Sequence, residues 1–213
     1  MKKLLTLVAL MFVTVAASAQ ITWNAKAGLG IATCTGDAED LSSHLVGKIG
    51  VGIEKPINPN WSIMPSLEIA WKGAEYKESM PGYKEDLTLS LTYLQIPVLA
   101  AYRINLSDNW NMTIKAGPYI AYALSGEIED KWEYMGESSK ETIDIFKGKE
   151  SDTGKAEDGV AKGNRFDYGI DLGVDFEYQR FVFGLEYEVG FKSFMKEMDI
   201  KNAAGYVTVG YKF

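Results

Sequence analysis

The sequence predicts an all-β chain, an eight-stranded antiparallel up-and-down transmembrane β-barrel, on three observations. Apolar and polar residues alternate with period two in eight windows, and the connections between those windows run alternately short and long. After the first nineteen residues no stretch of about 18 apolar residues remains, so helical membrane spans are excluded.

The chain opens with MKKLLTLVALMFVTVAASAQ, two lysines followed by an apolar run and the small residues Ala17, Ser18 and Ala19. This is the pattern of a secretory signal peptide, with cleavage expected after Ala19. Residues 1–19 are then the signal and residues 20–213 one barrel domain. No cysteine follows that junction to take a lipid, and the single Cys34 cannot form an internal disulfide, so stability has to come from the sheet itself. Loss of Lys2 and Lys3 takes the formal charge from −7 to −9, which gives no electrostatic basis for nucleic-acid binding.

The clearest window is RFDYGIDLGVDFEYQRFVFGLEYEVGFK, residues 165–192. Phe166, Tyr168, Ile170, Leu172, Val174, Phe176 and Tyr178 alternate with polar residues and glycine; after Gln179-Arg180 the pattern resumes with Phe181, Phe183, Leu185, Tyr187, Val189 and Phe191. A two-residue loop keeps Tyr178 and Phe181 on one face, so the two strands share one apolar surface and Asp171 falls opposite Glu188. Weaker alternation covers residues 22–31, 45–54, 61–72, 87–103, 110–124 and 205–213. In the 87–103 window Leu87, Leu89 and Leu91 break parity with Leu94, Ile96, Val98, Ala100 and Tyr102, which predicts a bulge near Thr92 or Tyr93. Pro97 and Pro118 each lack a ladder donor, and further irregularity is expected there.

The connections after strands two, four and six are short, and those after one, three, five and seven are long. Short periplasmic turns and long outer loops are the habit of outer-membrane barrels. The longest connection, Ser125 to Asn164, carries eleven acidic and six basic residues and is expected to be a solvated loop. Ser138 and Glu141 within it have the spacing of a helix capping box.

Alternation alone also suits a soluble barrel, and the aromatic residues separate the two cases. Trp23, Trp61 and Trp110 sit on the apolar face where strands one, three and five begin; Tyr178, Phe181, Tyr211 and Phe213 lie at the matching ends of the last three strands. All fall at the short-turn rim, as a membrane girdle requires. Trp71, Tyr122, Phe166 and Phe191 mark the other rim. The opposite face then becomes a narrow lumen carrying Lys26, Lys48, Glu68, Lys72, Lys115, Asp171, Asp175, Glu186 and Glu188, for which a cross-lumen ion-pair network without an aqueous pore is expected. The location is a bacterial outer membrane, with membrane lipid as the surrounding partner.

The segments TYLQIPVLAAYRI (residues 92–104) and AGPYIAY (116–122), with the closing GYKF, resemble the PorT-like outer-membrane β-barrel family. That resemblance implies an outer-membrane barrel and an accessory role in protein secretion or envelope assembly. It also implies a glutamate where this chain has Gln95. By the same resemblance, the terminal aromatic Phe213 looks like the signal read by the outer-membrane assembly machinery, which would be a second partner.

Candidate chemistry is sparse. The only histidine, His44, follows Ser42 and Ser43 with Asp37, Glu39 and Asp40 upstream, a grouping also found where small barrels modify lipid acyl chains. One histidine and one cysteine ten residues apart do not make a metal site, and the glycines of GLGI, GKIGVGI and GIDLGV sit inside strands rather than at a helix start. No catalytic residue, metal or cofactor is expected, and any specificity belongs to the long outer loops, where a protein partner would bind.

Overall fold

The computed structural model describes residues 21–36, 42–81, 83–134, 137–146, 163–194 and 199–213; the predicted signal segment lies outside them. Among the described residues there are nine strands: β1 (Thr22–Gly36), β2 (His44–Pro56), β3 (Trp61–Met80), β4 (Tyr83–Asn105), β5 (Trp110–Tyr134), β6 (Glu137–Asp144), β7 (Phe166–Tyr178), β8 (Phe181–Gly190) and β9 (Ile200–Lys212). Eight of them close a ring in the order β1-β2-β3-β4-β5-β7-β8-β9, every neighbour antiparallel. The last strand pairs with the first from Asn24↔Lys212 to Gly36↔Ile200, which removes both sheet edges.

The period-two pattern fixes which face goes where. Leu29, Leu45, Leu185 and Val207 stand on the outside and are more than half exposed, whereas Lys48, Glu68, Asp171 and Glu188 are buried in the lumen. A charged interior and an apolar exterior invert the arrangement of a soluble barrel. The β7–β8 hairpin turns through Gln179-Arg180 and pairs Tyr178 with Phe181 and Asp171 with Glu188.

Four expectations change. The 125–164 segment is not a bare loop, because β5 runs on to Tyr134 and pairs with β6, the strand outside the ring, from Glu127↔Asp144 to Tyr134↔Glu137. Ser138 therefore lies in a strand and caps no helix. The β4–β5 register shifts at Thr92/Tyr93 as predicted, but the additional residue is Leu124 on β5, since Thr92 pairs with Ser125 and Tyr93 with Ala123. Leu87, Leu89 and Leu91 keep the lumenal parity of Tyr93 and Gln95. They broke the pattern because the outer end of the interior is apolar, not because the strand flips. Pro97 and Pro118 cause no shift: Pro97↔Tyr119 and Ala100↔Ala116 are in one register, with Val98 and Leu99 unladdered between them.

That apolar outer end is a small core of its own. Leu91, Tyr93, Ala74, Tyr119, Ala121 and Ala123 from the wall meet Ile145, which follows β6, and Phe194, which precedes β9. Backbone bonds from Gly163 N–H to Ile145 O (3.1 Å) and from Asn164 N–H to Phe194 O (2.6 Å) tie these inserted residues to one another's segments. The outer mouth is thus capped by side chains that enter from two connections.

Candidate functional site

Beneath the cap the lumen is built in layers, each drawn from strands whose inward residues reach the same height. At the periplasmic mouth Arg103 on β4 bridges Glu54 (2.8 Å) and Glu177 (3.2 Å). Lys212 on β9 bridges the same two carboxylates at 2.7 and 2.6 Å. Ser62 and Thr113 hydroxyls donate to Glu54 and Glu177, so both acids are satisfied from four strands.

The middle layer holds most of the predicted lumenal residues. Lys26 meets Glu68 (2.9 Å) and Glu186 (2.8 Å), and Lys115 meets Asp175 and Glu186, both at 2.7 Å. Lys48, wholly buried, contacts Glu68 (3.4 Å), Glu186 and Glu188 (2.8 Å). Glu186 therefore sits among three ammonium groups. Lys72 reaches Glu188 at 2.7 Å and lies 4.3 Å above the Tyr119 ring, while Gln95 donates to Glu188 at 2.9 Å. Asp171 is the member left out: it is buried, and among the described residues neither of its oxygens has a hydrogen-bond partner.

Glu68, Glu186 and Glu188 bring one oxygen each within 4.8 Å of one another. The ammonium groups of Lys26 and Lys48 already stand against those oxygens. The donor set is therefore matched by the chain's own cations and does not call for a metal. Above it, Asn202 donates to Asp167 (3.2 Å) and to the Tyr93 hydroxyl (3.2 Å), and Tyr119 donates to Asp167 (3.3 Å). Between the middle and periplasmic layers a cavity of about 40 Å³ remains, space for a few water molecules.

Several of these residues went unread in the sequence. Glu54 and Arg103 share the inward parity of their strands and could have been found by extending it; Tyr93 and Tyr119 carry no signal of their own, because an inward tyrosine and a lipid-facing one look alike. His44 makes its side-chain contact outside the layers described above. Its Nδ1 lies 2.6 Å from Glu75 Oε1 on β3, a residue no upstream pattern indicated, while Asp37, Glu39 and Asp40 lie outside the described residues. Hydrogen bonds from Lys77 and His44 hold the Glu75 carboxyl below the usual carboxylate range.

The outer surface carries the aromatic rims. Trp23, Trp61, Trp110 and Phe213 are exposed at the short-turn end, where Trp61 stacks against Tyr102 (5.1 Å), Trp110 against Tyr178 (4.9 Å) and Tyr211 against both Phe181 and Phe213 (5.3 Å each). A closed ring with an apolar exterior, two aromatic rims and a charged, filled interior is the construction of a small outer-membrane barrel. The sequence profile of the outer membrane protein beta-barrel domain matches residues 16–196. The chain belongs to the outer membrane protein beta-barrel domain family.

As a member of this family it resides in the bacterial outer membrane. Solved structures of similar fold include Ail, the attachment invasion locus protein of Yersinia pestis, at 14% identity over 90% of this chain and 98% of that one, with a TM-score of 0.41. Neisserial surface protein A is 12% identical over 90% of this chain and 97% of that one, with a TM-score of 0.42. The N-terminal barrel of Pseudomonas aeruginosa OprF is 9% identical over 88% and 97%, with a TM-score of 0.29. No curated protein sequence matches the chain significantly.

Proposed function

We propose that this outer membrane protein beta-barrel domain is a non-enzymatic scaffold, without an open pore, that presents its outer strands and loops to a protein partner. The observation that carries the reading is the filled lumen: two layers of ion pairs crossed by side chains from opposite walls, closed above by Ile145 and Phe194. A solute path would have to break buried ion pairs, each costing on the order of 3 to 5 kcal/mol when one partner is removed. Presentation falls to the part that rises beyond the outer aromatic rim, the ends of β3, β4 and β5 with β6 at their edge. Export by the signal at residues 1–19 and recognition of Phe213 by the assembly machinery belong to the same proposal.

Planar-bilayer recording of the purified protein tests it directly, with no stable single-channel conductance expected. Excision of residues 127–144 should abolish partner capture and leave a folded, heat-modifiable barrel; conductance steps from the intact chain would overturn the scaffold reading. The narrower role of an accessory factor in secretion or envelope assembly draws its support from the PorT-like segments. It predicts that loss of the gene disturbs secreted or surface proteins. His44→Ala is expected to leave the lipid A acyl pattern of the cell unchanged.

A further inference from the structure

The wall is not uniformly laddered. β2 pairs with β3 from Pro56↔Ser62 up to Lys48↔Ala70, and among the described residues pairing resumes only at a Ser42↔Glu75 bridge. Between those points His44–Gly47 of β2 remain paired to β1, and Trp71–Ala74 of β3 remain paired to β4. The seam between the two strands is open while both of its banks are held. The Trp71 carbonyl, which in a complete ladder would face β2, instead accepts a hydrogen bond from the Tyr206 hydroxyl across the lumen (3.0 Å). A backbone group at membrane depth has to be satisfied from within the protein, and here a lumenal side chain does it.

On the lipid side a groove of about 890 Å³ runs from the seam across β2, β1 and β9, bordered by Leu29, Leu45, Ile49, Trp71 and Val207, and reaches inward to Lys48 and Lys72. Its floor is low because Gly47 has no side chain: a Cβ there would lie 3.0 Å from the Gly28 carbonyl and 3.5 Å from the Trp71 ring. Leu29 and Leu45 on its banks are 70% and 72% exposed, and the groove is continuous with the lipid-facing band of the barrel in its outer half. Its size lies within the roughly 300 to 1,000 Å³ of sites that hold a small molecule. Its outer end is polar, where His44, Glu75 and Lys77 form one hydrogen-bonded group.

We propose that the β2–β3 seam is a lipid-binding site that retains one acyl chain of an outer-leaflet lipid, with the headgroup at the His44 end. A flat barrel wall offers an acyl chain one side of contact, whereas this groove offers three and gives up no backbone hydrogen bond on occupation. The bound chain exchanges more slowly than bulk lipid because leaving it exposes the seam.

Native mass spectrometry of the full barrel, released from micelles containing dioleoyl phosphatidylethanolamine as the probe, tests this. The wild type should carry one lipid adduct that survives activation. Gly47→Leu, which fills the groove, should lower its occupancy roughly tenfold. Ala100→Leu, a lipid-facing substitution on β4, should leave it unchanged. Ala27→Leu, on the neighbouring strand, serves if Gly47→Leu does not give the compact, heat-modifiable band of a folded barrel. No adduct on the wild type, equal adducts on the folded groove variants and Ala100→Leu, or a dimer lost on filling the groove would each overturn the proposal.

Discussion

Asp171 on β7 and Glu186 on the neighbouring β8 share the middle layer of the lumen and are expected to respond oppositely to losing their charge. Glu186 is contacted by Lys26, Lys48 and Lys115, so Glu186→Gln leaves buried ammonium groups short of a partner and should cost on the order of 3 kcal/mol. Asp171 has no donor among the described residues, and Asp171→Asn removes a buried carboxylate that no hydrogen bond satisfies; it should be neutral or stabilising by about 1 kcal/mol. Urea titration of both variants in bilayers checks the contrast. Gln95 makes the same point from the other side. It donates to Glu188 at 2.9 Å, and Gln95→Glu would set a further lumenal acid beside Glu188 and lose a donor, for an expected loss of about 2 to 3 kcal/mol at neutral pH. An unchanged unfolding midpoint would contradict this account of the middle layer.

At the scale of single elements, the β7–β8 hairpin is held by a turn as short as two residues allow. Gln179 takes a left-handed φ of 54°, uncommon outside glycine and costly for a β-branched side chain. Gln179→Val should therefore destabilise the barrel by about 1 to 2 kcal/mol without changing its lipid-facing area, while Gln179→Gly is tolerated. Equal stability of the two variants would speak against the strain. The hairpin was readable in the sequence because its alternation is unbroken on both sides of the turn. The β5–β6 hairpin was not, because outside the membrane both faces of a strand can be polar and the period-two signal fades: Glu127, Glu129, Lys131 and Glu133 alternate with residues no more telling than Ile128, Asp130 and Trp132. β4 misled for the reverse reason, since Leu87, Leu89 and Leu91 are apolar on the inner face where a charged residue was the expectation.

For the molecule as a whole, the membrane sets which substitutions matter. Leu172 lies mid-strand on the lipid face of β7 and is 46% exposed, so an alanine there costs little of the packing a soluble core would lose. Leu172→Arg, however, puts a charge near the bilayer midplane and should cost about 2 to 4 kcal/mol, measured by reversible folding into vesicles. A negligible effect would mean the residue does not face hydrocarbon. Closure has the same global character: β9 pairs with β1 across the length of the chain, a ladder of the highest sequence separation in the ring.

The eight strands of the ring, the face assignment and the location followed from the sequence, because a membrane barrel imposes one rule, alternation, on every spanning residue and each residue obeys it locally. Which lysine meets which carboxylate did not follow. Neither did the exclusion of Asp171, the cap formed by Ile145 and Phe194 or the open seam between β2 and β3. Those depend on strand stagger around a closed ring, which brings side chains more than a hundred residues apart to the same height, as with Lys26 and Glu186. No local pattern encodes that height; the tertiary structure decides it by closing the sheet.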